Sequence, residues 1–310
     1  MALPEELKAL AARVSNWGRW GPDDQRGTLN FITPAAAQRA AAAVRRGVSF
    51  SLSIPYNADG PQTGEIPGRI NPQHKMVTIN AAFTGDRSDF TTSDDTVEMG
   101  VQAATHWDAL SHVGYENLLY NGVDDAVIDD SGAAKLGVEQ FGAVVTRGVL
   151  LDIARLHGVD YLEGGTVIGA EDLDAAAEKA GIRIESGDIV LVRTGQLARA
   201  RRDGWGDYAG GPAPGLSLTT AGWLHRTEIA AIATDTWGFE VRPNEFDAPA
   251  FQPLHQVVIP NLGLTIGEMW DLEALGEICA ASGRYDFLLS AAPLPITGAV
   301  GSPINPVAIL

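Results

Sequence analysis

The 310-residue chain has one cysteine, Cys279. No intrachain disulfide can form, and a core of this size needs none. A cysteine-based zinc site is excluded as well. Cys279 sits in an Ala-rich, helix-like stretch, residues 275–281, where a thiol packs as a small apolar group rather than serving as a nucleophile. Positive charge is scarce: 22 Lys and Arg face 39 Asp and Glu, a net charge of −17. That balance argues against nucleic acid as a partner, because phosphate binding needs clustered cations, and against an anionic membrane surface. Its simplest use is solubility. Long apolar runs are also missing. The N-terminus, MALPEELKALAARVSNW, carries acids and does not read as a signal peptide. The most apolar tail, residues 287–310, is interrupted by Pro293, Pro295, Pro303 and Pro306 and makes a poor membrane span. The expected compartment is the cytoplasm.

Familiar catalytic signatures are absent too. There is no G-x-S-x-G, no H-E-x-x-H, no P-loop and no G-x-G-x-x-G after a strand. The one glycine cluster, GGPAPG at residues 210–215, holds two prolines that remove backbone donors, so it is a loop and not a phosphate cradle.

What is present is the patterning of a globular α/β chain, with 45% hydrophobic and 20% charged residues, too apolar for disorder. Leu3, Leu7, Leu10 and Val14 recur at helical spacing. A second helix is punctuated by Thr33 as N-cap, Pro34 at its first position and Gly47 after Arg46. Residues 50–54, 76–83, 144–153, 189–193 and 229–234 read as strands, and residues 257–264 as strand or loop. Residues 170–180, 219–227 and 271–281 read as helices. Residues 56–74 form a long Gly/Pro/Asn/Gln loop of the kind used as a lid or dimer arm, and residues 86–95 read as polar turn. No repeat recurs every 20–50 residues. The reading is a single mixed α/β domain over residues 1–310, a β-rich core flanked by helices, with a helical and loop arm over about residues 1–75.

Chemistry concentrates in one segment, Gln102-Ala103-Ala104-Thr105-His106-Trp107-Asp108-Ala109-Leu110-Ser111-His112. In an extended strand, alternate side chains share a face. Gln102, Ala104, His106 and Asp108 would then point together, and His106 and Asp108 could chelate one divalent ion. His112 follows four residues on and can curl back as a further ligand or as a general base. An oxygen-rich donor set makes manganese as suitable as zinc.

This segment resembles the metal-binding motif of the cyclase superfamily, which includes bacterial kynurenine formamidases and isatin hydrolases. The resemblance extends over most of the chain. Residues 16–21 (NWGRWG) with 27–30 (GTLN), 187–195 (GDIVLVRTG), Leu254-His255 and Glu268 are similar to the superfamily's other blocks. The resemblance implies that His106, Asp108, His255 and Glu268 bind metal and that His112 is the catalytic acid/base. Gln102 stands where zinc formamidases place another histidine. An amide is the weaker donor, which favours one zinc or manganese ion, with Gln102 as a weak ligand or a water-positioning group. The expected fold is the swivelling β/β/α arrangement of these hydrolases, in a homodimer or homotetramer.

The expected reaction is hydrolysis of an amide or lactone, cyclic or open, on a small carbonyl substrate. The alternatives are a metal-dependent cyclase, lyase or isomerase, and a ligand-binding relative without catalysis. Candidate substrate contacts are Trp20, Trp107, Tyr115, Tyr120 and Asp235. Arg193, after a buried strand, is expected to need a carboxylate partner. His74 lies on the long loop, and His157 and His225 carry no assignment.

Overall fold

A computed structural model describes residues 4–245 and 250–310. The amphipathic first segment forms α1 (Glu5–Arg13), burying Leu7 and Ala11. Leu3, the first residue of that stripe, lies outside the described residues. Helix α2 (Pro34–Ala43) starts as its punctuation predicts, with the Thr33 hydroxyl accepting from Ala36 N–H at 3.3 Å. It stops short of Arg46. Val44 turns extended, and the N–H groups of Arg46 and Gly47 donate to the Leu310 carbonyl.

Eleven strands of the chain matter for the site: β1 (Ser49–Ser51), β2 (Gln73–Ala82), β3 (Thr91–Glu98), β4 (His106–Asp108), β5 (Val145–Asp152), β6 (Ile189–Arg193), β7 (Ala231–Thr234), β8 (Thr265–Glu268), β9 (Asp286–Ser290), β10 (Gly301–Pro303) and β11 (Val307–Ile309). All but β2 and β3 join one nine-stranded sheet in the order β1-β11-β9-β5-β6-β7-β8-β4-β10. The centre, β5-β6-β7-β8, is parallel, and the strands on both sides are antiparallel. A parallel centre covered on both faces demands continuous apolar runs, and β6 (IVLVR) is buried throughout.

Helices cover both faces. Val149, Leu151, Val190, Val192, Ile232 and Ile266 face a core that includes Leu173 of α4 (Ala170–Lys179) and Leu224 of α6 (Ala221–Thr227). Leu150, Ile189, Leu191, Ala231 and Phe287 face a second core, with Leu275 and Cys279 of α8 (Glu273–Ser282). Cys279 is fully buried, and burial pushes its thiol up to about 12, which suits packing. Gly148 of β5 lies opposite Phe287, and a Cβ there would come within 2.2 Å of that ring. Arg193 closes β6 and finds its carboxylates: Asp152 accepts at 2.9 Å and Glu273 at 2.8 Å.

Three local readings are corrected. The polar residues 86–95 are turn only at first, because Thr91 begins β3, paired with β2 in a projecting hairpin. His74 therefore lies in a strand rather than on the loop, bonded to Asp95 at 2.8 Å. The stretch 257–264, read as strand or loop, continues α7 (Pro253–Val257) into a π-helical turn, Val258–Leu262.

The strands that carry the site pack on two tryptophans. Trp107 and Trp270 meet edge to face, with centroids 4.8 Å apart. A Cβ at Gly267 would fall 2.6 Å from Trp270 Nε1 and 2.7 Å from both Ala233 and Trp107. Little in that corner can retreat, since all four residues are buried. Gly267→Ala is expected to cost about 1–3 kcal/mol by overpacking, read as a lower urea midpoint at unchanged slope.

Candidate metal centre

Strands β4 and β8 run antiparallel with Glu268 opposite His106. Directly opposed residues present their side chains on one face, and Asp108, two residues along β4, shares that face. The His106 Nδ1–H donates to the Ala104 carbonyl at 2.7 Å. This turns Nε2 toward the carboxylates, 3.5 Å from Asp108 Oδ1 and 3.4 Å from Glu268 Oε2. Extended geometry holds only for His106–Asp108. Residues 101–105 are turns and bends, pinned by Ala103 N–H donating to Gly100 and by the Thr105 hydroxyl donating to Met269 at 2.6 Å. Gln102 is therefore not placed by strand alternation. Its amide nitrogen lies 3.4 Å from His112 Nδ1.

His255 enters from α7. Its Nδ1 donates to Glu240 Oε1 at 2.6 Å, and its Nε2 faces Glu268 Oε1 at 3.2 Å. Glu240 also accepts from the backbone N–H groups of Leu254 and His255 at 3.1 and 3.0 Å. One buried carboxylate thus caps this short helix and fixes its histidine. His112 completes the group, with Nε2 3.6 Å from Asp108 Oδ1.

The donor set fits a divalent cation. Ligand atoms of His106, Asp108 and Glu268 lie within 4.8 Å of one another, all buried. His106 Nε2 and Asp108 Oδ1 are buried without a hydrogen-bond partner, an arrangement that is costly unless something binds between them. The electrostatics agree. Burial opposes charge on His106 and His255, but the carboxylates beside them prevail and raise the imidazoles to about 9 and about 10. Burial acts against ionised Asp108 and Glu268 too, yet the facing histidines hold both below the usual carboxylate range. His112 behaves differently. Burial pushes it down, the Arg69 guanidinium acts in the same direction, and Asp108 opposes them.

A cavity of about 240 Å³ opens onto these groups. Asp108, His112, His255 and Glu268 form its floor, and Glu65, Ile66, Pro67 and Arg69 of the long loop form one wall. Trp237, Arg242, Phe251 and Gln252 form another. Gly210 seats the loop: its φ is +111°, and a Cβ there would meet Glu65 Cβ at 2.8 Å.

Of the residues expected at the site, His106, Asp108, His112, His255 and Glu268 converge, with Gln102 beside His112. The expected substrate contacts lie elsewhere. Trp107 alternates to the opposite face of β4, where its indole N–H donates to Ala291. Trp20 packs edge-on against Phe31. The Tyr115 hydroxyl donates to Asn261 and that of Tyr120 to Asp24, each at 3.0 Å. Asp235 is buried, accepting from the Thr194 N–H and hydroxyl and from Gly195 N–H. Sequence reasoning missed Glu240, Arg69, Arg242 and Phe251. None belongs to a spaced pattern, and only the Gly/Pro character of residues 56–74 hinted at a functional wall.

The family described as "putative cyclase" matches residues 50–241. The crystal structure of a novel cyclase superposes with a TM-score of 0.86 at 40% identity, over 96% of this chain and 99% of that one. Isatin hydrolase A from Labrenzia aggregata, bound to benzyl benzoate, aligns with a TM-score of 0.61 at 21% identity, over 87% and 94% of the two chains. A predicted metal-dependent hydrolase from Bacillus stearothermophilus aligns at 0.54 and 18%, over 84% and 97%. No curated protein matches the chain. With the family model matching most of the sequence and a 40% identical cyclase superposing along nearly its whole length, the chain belongs to the cyclase family.

Proposed function

We propose that the protein is a metal-dependent hydrolase that opens an amide or lactone carbonyl. The observation that carries this reading is the pair of orphaned, buried atoms His106 Nε2 and Asp108 Oδ1, aimed with Glu268 at one point on the cavity floor. His106, Asp108 and Glu268 would hold one zinc or manganese ion, with His255 beside Glu268 as a further donor. A bound divalent cation supplies Lewis acidity toward the substrate carbonyl and makes water a better nucleophile near neutral pH.

The chain's own residues supply the proton traffic. His112 is depressed by burial, so it is a neutral base at pH 7. It takes a proton from water as the water oxygen bonds to the carbonyl carbon. It returns that proton to the leaving nitrogen or oxygen as the C–N or C–O bond breaks. Gln102 steadies the ring from its Nδ1 edge. The apolar side chains of Ile66, Pro67, Trp237 and Phe251 suit a cyclic or aromatic substrate body. Trp20, Trp107, Tyr115, Tyr120 and Asp235 are left with supporting roles around the site.

We also assign the β2–β3 hairpin to contact between copies. Val77, Ile79, Phe83, Phe90 and Val97 are all more than half exposed on it, and a lone hairpin is marginal without a cover. This supports a homodimer or homotetramer. Among the described residues, no helix is long and apolar enough to cross a membrane.

His112→Ala is expected to cut turnover of a lactone or amide by roughly 10²–10⁴ while leaving metal content unchanged. His106→Ala is expected to lose the metal, seen by elemental analysis of both variants. Retained metal in the second, or lost metal in the first, would reverse the two roles.

The raised imidazoles give a pH dependence. In chelator-treated protein, the protonated pairs contribute stability that is complete below the unfolded histidine value of about 6.5. That contribution is lost as pH rises through about 9 to 10. The melting temperature of stripped protein is expected to fall over that window. Zinc added at pH 7.5 must displace these protons, so calorimetry in buffers of different ionisation enthalpy is expected to register proton release.

For the hairpin, Val77→Asp with Ile79→Asp is expected to lower the mass seen by light scattering to that of one chain. A dimer or tetramer unchanged by the pair would place the interface elsewhere.

A further inference from the structure

The cavity wall carries a cation with nothing to hold. Arg69 is half-buried and lines the cavity together with His112 and Glu268. Among the described residues it has no ion pair, no hydrogen bond from its guanidinium and no ring beneath it, whereas the other arginines without a partner, Arg13, Arg46, Arg87 and Arg183, are exposed. An unpaired guanidinium is unexpected in a chain of net charge −17, where carboxylates are plentiful.

Arg242, on the facing wall, shows the contrast. Its guanidinium lies 4.6 Å from the centroid of Phe251 and 5.8 Å from that of Trp237, and it donates to the Phe251 carbonyl at 2.5 Å. It is spent on holding the apolar wall together. Arg69 is not spent on anything.

The setting of Arg69 is built rather than accidental. The turn that presents it is closed by its own N–H donating to the Ile66 carbonyl at 3.3 Å, with Gly68 between them at a φ of +82°. Next along the chain, Gly100 N–H donates to the Ile70 carbonyl at 3.1 Å and ties the loop to the segment leading into β4. The backbone on both sides of Arg69 is thus fixed, and its side chain lines the cavity that opens onto Asp108 and Glu268.

A planar guanidinium with free donors matches a carboxylate, which it can grip through two parallel hydrogen bonds. On the floor below, Asp108 and Glu268 would repel such an anion unless their charge were answered by a cation between them. The guanidinium on the wall and the carboxylates on the floor thus offer two distinct anchor points in one cavity. Resting on the hydrolase reading above, we propose that Arg69 is the specificity residue for a substrate carrying a second, non-reacting carboxylate. That carboxylate is joined by an apolar body to the carbonyl that is opened. The apolar body lies against Trp237 and Phe251, and Arg69 selects the acid over its neutral analogue.

The test compares ligands that differ only in that group. Isophthalate and benzoate are titrated calorimetrically into the full-length, zinc-supplemented protein and into Arg69→Gln and Arg69→Lys. Isophthalate is expected to bind wild type about tenfold or more tighter than benzoate, a ratio that falls to about one in Arg69→Gln and is intermediate in Arg69→Lys. Melting temperatures within about a degree of wild type show that the loop change leaves the fold intact. The same proteins are assayed with an aryl lactone bearing a ring carboxylate and with its carboxamide. The acid is expected to show a lower KM in wild type, with the difference lost in Arg69→Gln.

An unchanged isophthalate preference in Arg69→Gln, or none in wild type, overturns the proposal even if lactones are hydrolysed. A preference that depends on Arg69 in a protein that hydrolyses neither lactones nor amides upholds the anion subsite and sinks the hydrolase reading instead.

Discussion

Everything at the site depends on one register: His106 on β4 sits opposite Glu268 on β8. Placing an imidazole and two carboxylates together, fully buried, is unfavourable unless each charge is answered. The answer is mutual, and the neighbouring His255–Glu240 pair extends it. A slip of one residue would turn His106 and Asp108 into the core and Trp107 into the cavity. The corner under Gly267 guards against that slip, since only a residue without a Cβ lets Trp107 and Trp270 close behind the strands. Packing on one face of the sheet thus sets chemistry on the other.

How far the sequence could be read follows from range. The alternation of His106 and Asp108 about Trp107 is local, and it puts two candidate ligands on one face and an indole on the other. The same rule, followed consistently, puts Trp107 in the core rather than against substrate. Extended back to Gln102 the rule fails, because the Thr105 hydroxyl, accepting from Ile54 N–H and donating to the Met269 carbonyl, holds the chain out of the strand before it begins. His255 and Glu268 were legible through the resemblance of ordered blocks, not through any spacing of their own. Glu240, Arg69 and Phe251 were not legible. Each is brought to the cavity by a loop whose path is decided by tertiary contacts, and a single charged or aromatic residue in a loop carries no period.

The N-terminal signature shows a related lesson. Residues 16–21 stood out as aromatic and polar, and Trp20 was expected in the pocket. The structure uses the segment as a brace. Asn16 N–H donates to the Asn261 carbonyl, its side-chain amide to Leu262, and the Trp17 indole to Pro260 at 2.6 Å. These are carbonyls of the π-helical turn, which an ordinary helical ladder leaves unsatisfied at its end. The arm therefore secures the helix that delivers His255, and its composition reports on the site at one remove.

The Glu240–His255 contact joins residues 15 positions apart, and the stretch between them supplies Arg242, Phe251 and Gln252 to the cavity. The wall is in effect a noose whose knot is tied by a histidine beside the candidate metal group. The entropy of closing that ring is charged to the knot, so whatever holds His255 in place also tightens the wall, and whatever fills the space against the wall helps hold His255. Loading of the floor and shaping of the cavity's mouth are thereby two readings of one equilibrium. By reciprocity, if a cation on the floor strengthens the grip on a molecule fitted to the wall, that molecule strengthens the grip on the cation by the same factor.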